Sequence, residues 1–179
     1  MKSLSNHAIK MKICRRWQQA GFALHGSCLT RQVNDVVQVI KPHVTTLGDL
    51  QVFLGLSLDG DPGARGKNAD QCCQVFSILG VARGTRHVNR TELNTARLGT
   101  LAISDLNEWC ERVFVGAIEP FFQLFVSASD AARILKESGE QALHVNTLLA
   151  YPERIGTAKP RGEWSFKIGH LTGDVNDHG

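Results

Sequence analysis

The segment QVFLGLSLD, residues 51–59, constrains the fold more than any other part of the chain. Val52, Leu54, Leu56 and Leu58 alternate with Phe53, Gly55, Ser57 and Asp59. A side-chain period of two belongs to a strand whose one face is packed and whose other face is freer, the pattern of an antiparallel sheet. Such a strand needs neighbours, because an isolated pair of strands is barely stable in water. SCLTRQ (27–32), a turn at Val33-Asn34-Asp35 and the β-branched VVQVIK (36–41) predict a hairpin beside it. QVFSILGVA (74–82) reads as a further strand and TARLGTLA (95–102) as a less regular one.

Helical spacing frames the sheet. Leu4, Ala8, Met11, Cys14 and Trp17 predict a helix over 4–20, and Gly21 is placed to end it. Ser104 followed by Asp105 is an N-cap signature, and Leu106, Trp109, Val113 and Ala117 form the stripe of the helix it opens. Pro120 is expected to break or kink that helix before PFFQLFV. Ser127 or Ser129 with Asp130 opens another helix to about Ser138, where Gly139 stops it, and HVNTLLAY (144–151) predicts a short one. Trp164, Phe166 and Ile168 alternate in WSFKIGHL as in a short docked strand, and 172–179 is expected to fray.

Together these predict an α+β fold: an N-terminal helix, an antiparallel meander of four to five strands, and two or three C-terminal helices packed on one face. With 179 residues, 42% apolar and 21% charged, the chain suits one globular domain, expected over residues 1–171. A chain of this size buries roughly two-thirds of its unfolded surface, so it needs neither metal nor disulfide for stability. Cys14, Cys28, Cys72, Cys73 and Cys110 are odd in number and lack C-x-x-C spacing, as expected for reduced thiols. The longest apolar run is about six residues, too short for a membrane span, so a soluble cytoplasmic protein without membrane attachment is expected.

Several of these features occur in a recognisable order. The helix ending in Gly21-Phe22 with Gly26 after it comes first, then the strands VVQVIK and FLGLSLD. Arg97-Leu98-Gly99 follows, ahead of Trp109, and Glu119-Pro120-Phe121-Phe122 comes last. This order resembles a family of small bacterial α+β domains of unknown function, over about residues 8–135. The resemblance implies the architecture and a bacterial source, and it carries no catalytic residue. Pro42-His43 departs from the family pattern, in which a glutamine follows the second strand.

LDGDPGARGKNAD (58–70) fails the phosphate-loop spacing, since Gly66-Lys67 requires glycine where Asp61 stands and a hydroxyl residue where Asn68 stands. It also fails the calcium-loop pattern begun by Asp59, Asp61 and Asp70, because Ala64 occupies the glycine turn position and Arg65 and Lys67 enter the ring. A turn is the expected reading, from its Asp-Pro-Gly. The histidines His7, His25, His43, His87, His144, His170 and His178 lack metal-ligand spacing, so no metal and no cofactor is expected. Cys72 and Cys73 enter a strand with one thiol inward, which predicts burial and not nucleophilic chemistry.

Two basic clusters remain. Lys2, Lys10, Lys12, Arg15 and Arg16 stand without an acid in the first twenty residues, and Arg83, Arg86, His87, Arg90 and Arg97 stand against Glu92 alone. The expected function is that of a non-enzymatic bacterial binding or accessory protein acting through a protein partner, for example in toxin neutralisation. One alternative is a small-molecule binder or enzyme with a pocket between sheet and helices, lined by Trp109, Phe121, Phe122 and Trp164. Another is nucleic-acid binding through the basic helix and the arginine-rich hairpin. His43, the second basic cluster, Trp109 and Trp164 are the candidate binding residues. A homodimer is the base-rate expectation for self-association.

Overall fold

A computed structural model of the chain describes residues 5–57, 73, 75–80, 88, 90–138 and 144–145. The first helix, α1 (Asn6–Gln18), starts at Ser5, whose hydroxyl accepts a hydrogen bond from the Ala8 N–H. Its buried face carries Ile9, Ile13, Cys14 and Trp17, so it is rotated from the expected stripe and leaves Ala8 and Met11 half-buried. Gly21 follows with φ 88°, the left-handed conformation that turns the chain out of the helix as expected.

The sheet contains β1 (Ala23–His25), β2 (Cys28–Val33), β3 (Val36–Val44), β4 (Leu50–Ser57), β5 (Val75–Ile78) and β6 (His144–Val145), hydrogen-bonded in chain order. Every pair is antiparallel, so this is a meander. The α+β class therefore holds, with six strands among the described residues. β1 and β6 are too short to leave a periodic signal. His144–Val145, expected to begin a helix, instead pairs with β5 through Phe76 and Val75.

TARLGTLA, expected as a strand, is helical over its first six residues. Thr95–Thr100 is a helix, α2, because the Asn94 side chain accepts from the Arg97 N–H and caps it. Leu98 and Leu101 lie three apart, a spacing that a single helical turn uses to place both on one side. The next helix, α3 (Ile103–Val113), begins at Ala102 without a side-chain cap, and the Ser104 hydroxyl donates to Asp105 instead. It continues through a π-helical turn (Phe114–Ile118) into α4 (Glu119–Gln123). Pro120 falls in the first turn of α4, where its missing N–H is not needed, so the helix changes register rather than ending. α5 (Ala128–Ser138) opens as expected, with the Ser127 hydroxyl accepting from the Asp130 N–H.

The helices contribute Ile13, Trp17, Val113, Ile118, Phe121, Phe122 and Phe125 to one cluster with Leu29, Ile40, Leu54, Leu56 and Val75 of the sheet. Each fully buried side chain of this size stabilises by about 1.5–3 kcal/mol relative to exposure. The opposite sheet face is not polar at its centre: Cys28, Val37, Val39, Cys73 and Phe76 form a second buried cluster, with Phe53 against it. β3 is the reason, since its run of valines places apolar side chains on both faces. β4 meets this face with Gly55, where a Cβ would come within 2.5 Å of the Cys73 sulfur. The residues 58–70, the expected strand over 163–171 and the tail lie outside the described residues.

Candidate functional site

The hairpin turn between β3 and β4 anchors the start of α2. Gly48 has φ 81°, and its carbonyl accepts both the Thr95 N–H at 3.0 Å and the Thr95 hydroxyl. Asp49 and Asn94 form an adjoining antiparallel bridge. With α2 held there, the 3-10 turn Arg90–Leu93, α2 and α3 enclose an open cleft of about 420 Å³.

The cleft is lined by Glu92, Arg97, Leu98, Leu101, Asp105, Glu108, Trp109 and Arg112. Asp105, Glu108, Trp109 and Arg112 are spaced i, i+3, i+4 and i+7, so they share one face of α3 while Leu106, Cys110 and Val113 turn into the core. Trp109 is only 7% exposed, and its ring lies 6.3 Å from that of Trp17. The two indoles differ in one respect. Trp17 donates its N–H to the Cys110 carbonyl at 3.0 Å, whereas the Trp109 N–H is buried without an acceptor among the described residues. Arg112 pairs with Glu92 at 2.8 Å and so neutralises one end of the cleft. Arg97, Asp105 and Glu108 are exposed, and among the described residues no ion pair holds any of them.

Of the residues expected from sequence, Arg97 and Trp109 meet in this cleft. His43 is exposed on β3 opposite Gln51 and does not line it. Arg90 contributes backbone to the 3-10 turn, while Arg83, Arg86, His87 and Trp164 lie outside the described residues. The pocket expected between sheet and helices is corrected at Phe121 and Phe122, which are fully buried core. The cleft lies between helices instead. In the basic N-terminal helix, Arg16 is engaged by Gln19 and Glu111, which reduces the free positive charge on that face. Glu92, Leu98, Leu101, Asp105, Glu108 and Arg112 were not anticipated as a group, although the helical spacing of the α3 members was readable.

Among the described residues, no three His, Cys, Asp or Glu side chains converge as a metal site, and no helix is long and apolar enough to cross a membrane. Two thiols behind the cleft are held protonated. Burial pushes Cys14 and Cys110 up from 9.0 to about 12, with Lys10 pulling the first back and Arg16 the second. Thiols so placed are poor nucleophiles. Their folded values exceed the unfolded one, so the stability they contribute is present below about pH 9 and is lost as pH rises toward about 12. Urea midpoints are therefore expected to fall between pH 8 and pH 10.5, and to fall less steeply in Cys14→Ala/Cys110→Ala. An unchanged slope in that variant would assign the alkaline loss to other groups.

No family model, no curated protein and no solved structure matches the chain.

Proposed function

We propose that this chain is a binding protein that holds a short segment of a protein partner in the cleft between the 3-10 turn, α2 and α3. The observation that carries this reading is the division of the lining. Leu98, Leu101 and Trp109 supply an apolar floor, while Arg97, Asp105 and Glu108 stand exposed around it. A polar rim around a buried apolar centre is the anatomy of a protein contact, and a packed tryptophan is a frequent anchor in one. A second reading, a small polar molecule in the same cleft, is favoured by the volume of about 420 Å³, since small-ligand sites span roughly 300–1,000 Å³.

Quantitative affinity purification with the wild-type chain and with Arg97→Glu/Glu108→Lys separates the outcomes. Both positions are exposed, so the fold should survive the exchange. A protein retained by the wild type and lost by the variant is expected. Identical sets of retained proteins would reject the cleft as a contact surface.

A further inference from the structure

The chemistry of the partner segment can be read from the cleft charges that have no ion-pair partner among the described residues. Glu92 pairs with Arg112, and among the described residues Arg97, Asp105 and Glu108 are the lining charges that no ion pair holds. Asp105 and Glu108 stand one helical turn apart on α3, and among the described residues the Asp105 carboxylate accepts a hydrogen bond only from the neutral Ser104 hydroxyl. Arg97 stands on α2, and no ion pair joins it to either acid. Leu98, Leu101 and Trp109 form the floor among the described lining residues.

Charges of opposite sign kept apart in one cleft favour a ligand that brings both signs. A uniformly basic segment is opposed by Arg97, and a uniformly acidic one by Asp105 and Glu108. Complementary charge selects the right partner and repels wrong ones more than it adds raw affinity. We propose that the cleft recognises a segment in which a basic side chain and an acidic side chain flank an apolar one. The basic group faces Asp105 and Glu108, the acidic group faces Arg97, and the apolar residue covers the Leu98–Trp109 floor. This rests on the protein-contact reading above.

Capped synthetic hexapeptides test it, with cores Lys-Leu-Glu and Glu-Leu-Lys against Lys-Leu-Lys, Glu-Leu-Glu and Gln-Leu-Gln, titrated into the full ¹⁵N-labelled chain and followed by amide shifts. At least one mixed-charge core is expected to bind about tenfold more tightly than the other three, with shifts centred on residues 92–112. In Arg97→Glu the preference should pass to Lys-Leu-Lys, a change of specificity that a merely structural role for Arg97 would not produce. Equal binding of all peptides, no binding at low salt, or an unchanged preference in Arg97→Glu would each overturn the proposal. If the affinity purification still finds a partner sensitive to Arg97→Glu/Glu108→Lys, the contact stands and only its assigned chemistry fails.

Discussion

Trp17→Ala is expected to lower the unfolding free energy by about 3–5 kcal/mol, the usual loss when a large buried aromatic is truncated. Trp17 is 1% exposed, and it joins α1 to α3 by both surface and hydrogen bond. Its N–H reaches the Cys110 carbonyl, which also accepts the Phe114 N–H that continues the helix. That carbonyl therefore keeps a partner in Trp17→Phe, and the smaller substitution should cost about 1 kcal/mol for the lost bond, plus any effect of the changed ring volume. Urea unfolding of both variants measures the difference. A loss below about 1 kcal/mol for Trp17→Ala would contradict the packing of α1 on α3. Because the Trp17 ring lies beside Trp109, the same substitution also removes support from the cleft floor, which makes it unsuitable as a binding variant.

The second large effect is expected at Arg31, which ties the sheet to the helices through Glu119 and the end of α1. Its Nε and Nη2 donate to the Gln38 side-chain oxygen at 2.9 and 2.8 Å, its Nη1 to the Ala20 carbonyl at 3.3 Å, and Nη2 also to Glu119 at 2.9 Å. The guanidinium lies 4.4 Å from the centre of the Phe22 ring. Gln38, 1% exposed, passes the network on by donating to the Phe122 carbonyl at 3.4 Å. Arg31→Met leaves the Gln38 oxygen without its donor and Glu119 without its cation, and is expected to cost about 2–3 kcal/mol. The ion-pair share is the smaller one, since the Glu119 side chain is 31% exposed and water replaces part of it. Arg31→Met/Gln38→Leu should recover part of the loss, because it removes the orphaned acceptor with the donor. A single-variant cost within about 0.5 kcal/mol, as for an ordinary surface change, would show that the network holds nothing together.

How much of this was readable beforehand depended on whether a signal was local. The alternation through Val52, Leu54 and Leu56 gave β4 its packed face directly, and Ser127 with Asp130 marked the start of α5. Asn94 was equally local, yet it closes the polar run RGTRHVNRTELN, and the helix it caps is only six residues long. Apolar spacing over so few residues does not separate strand from helix. Phe121 and Phe122 illustrate a different limit. An aromatic pair suits a core and a pocket wall alike, and only packing against Phe22 and Phe125 decided for the core. The cleft residues of α3 show the same ambiguity, because i, i+3, i+4, i+7 is also the spacing along any helix's solvent edge.

By itself, the sequence determined the α+β class, the order of helix and meander, and most strand faces, because these follow from periodicity and caps within short windows. Tertiary structure alone decided that the opposite sheet face is also buried, that Pro120 sits in a re-registered helix, and that Gly48 seats α2 beside α3. That last contact joins residues far apart in the chain, and it is the contact that turns Arg97, Asp105, Glu108 and Trp109 into one cleft.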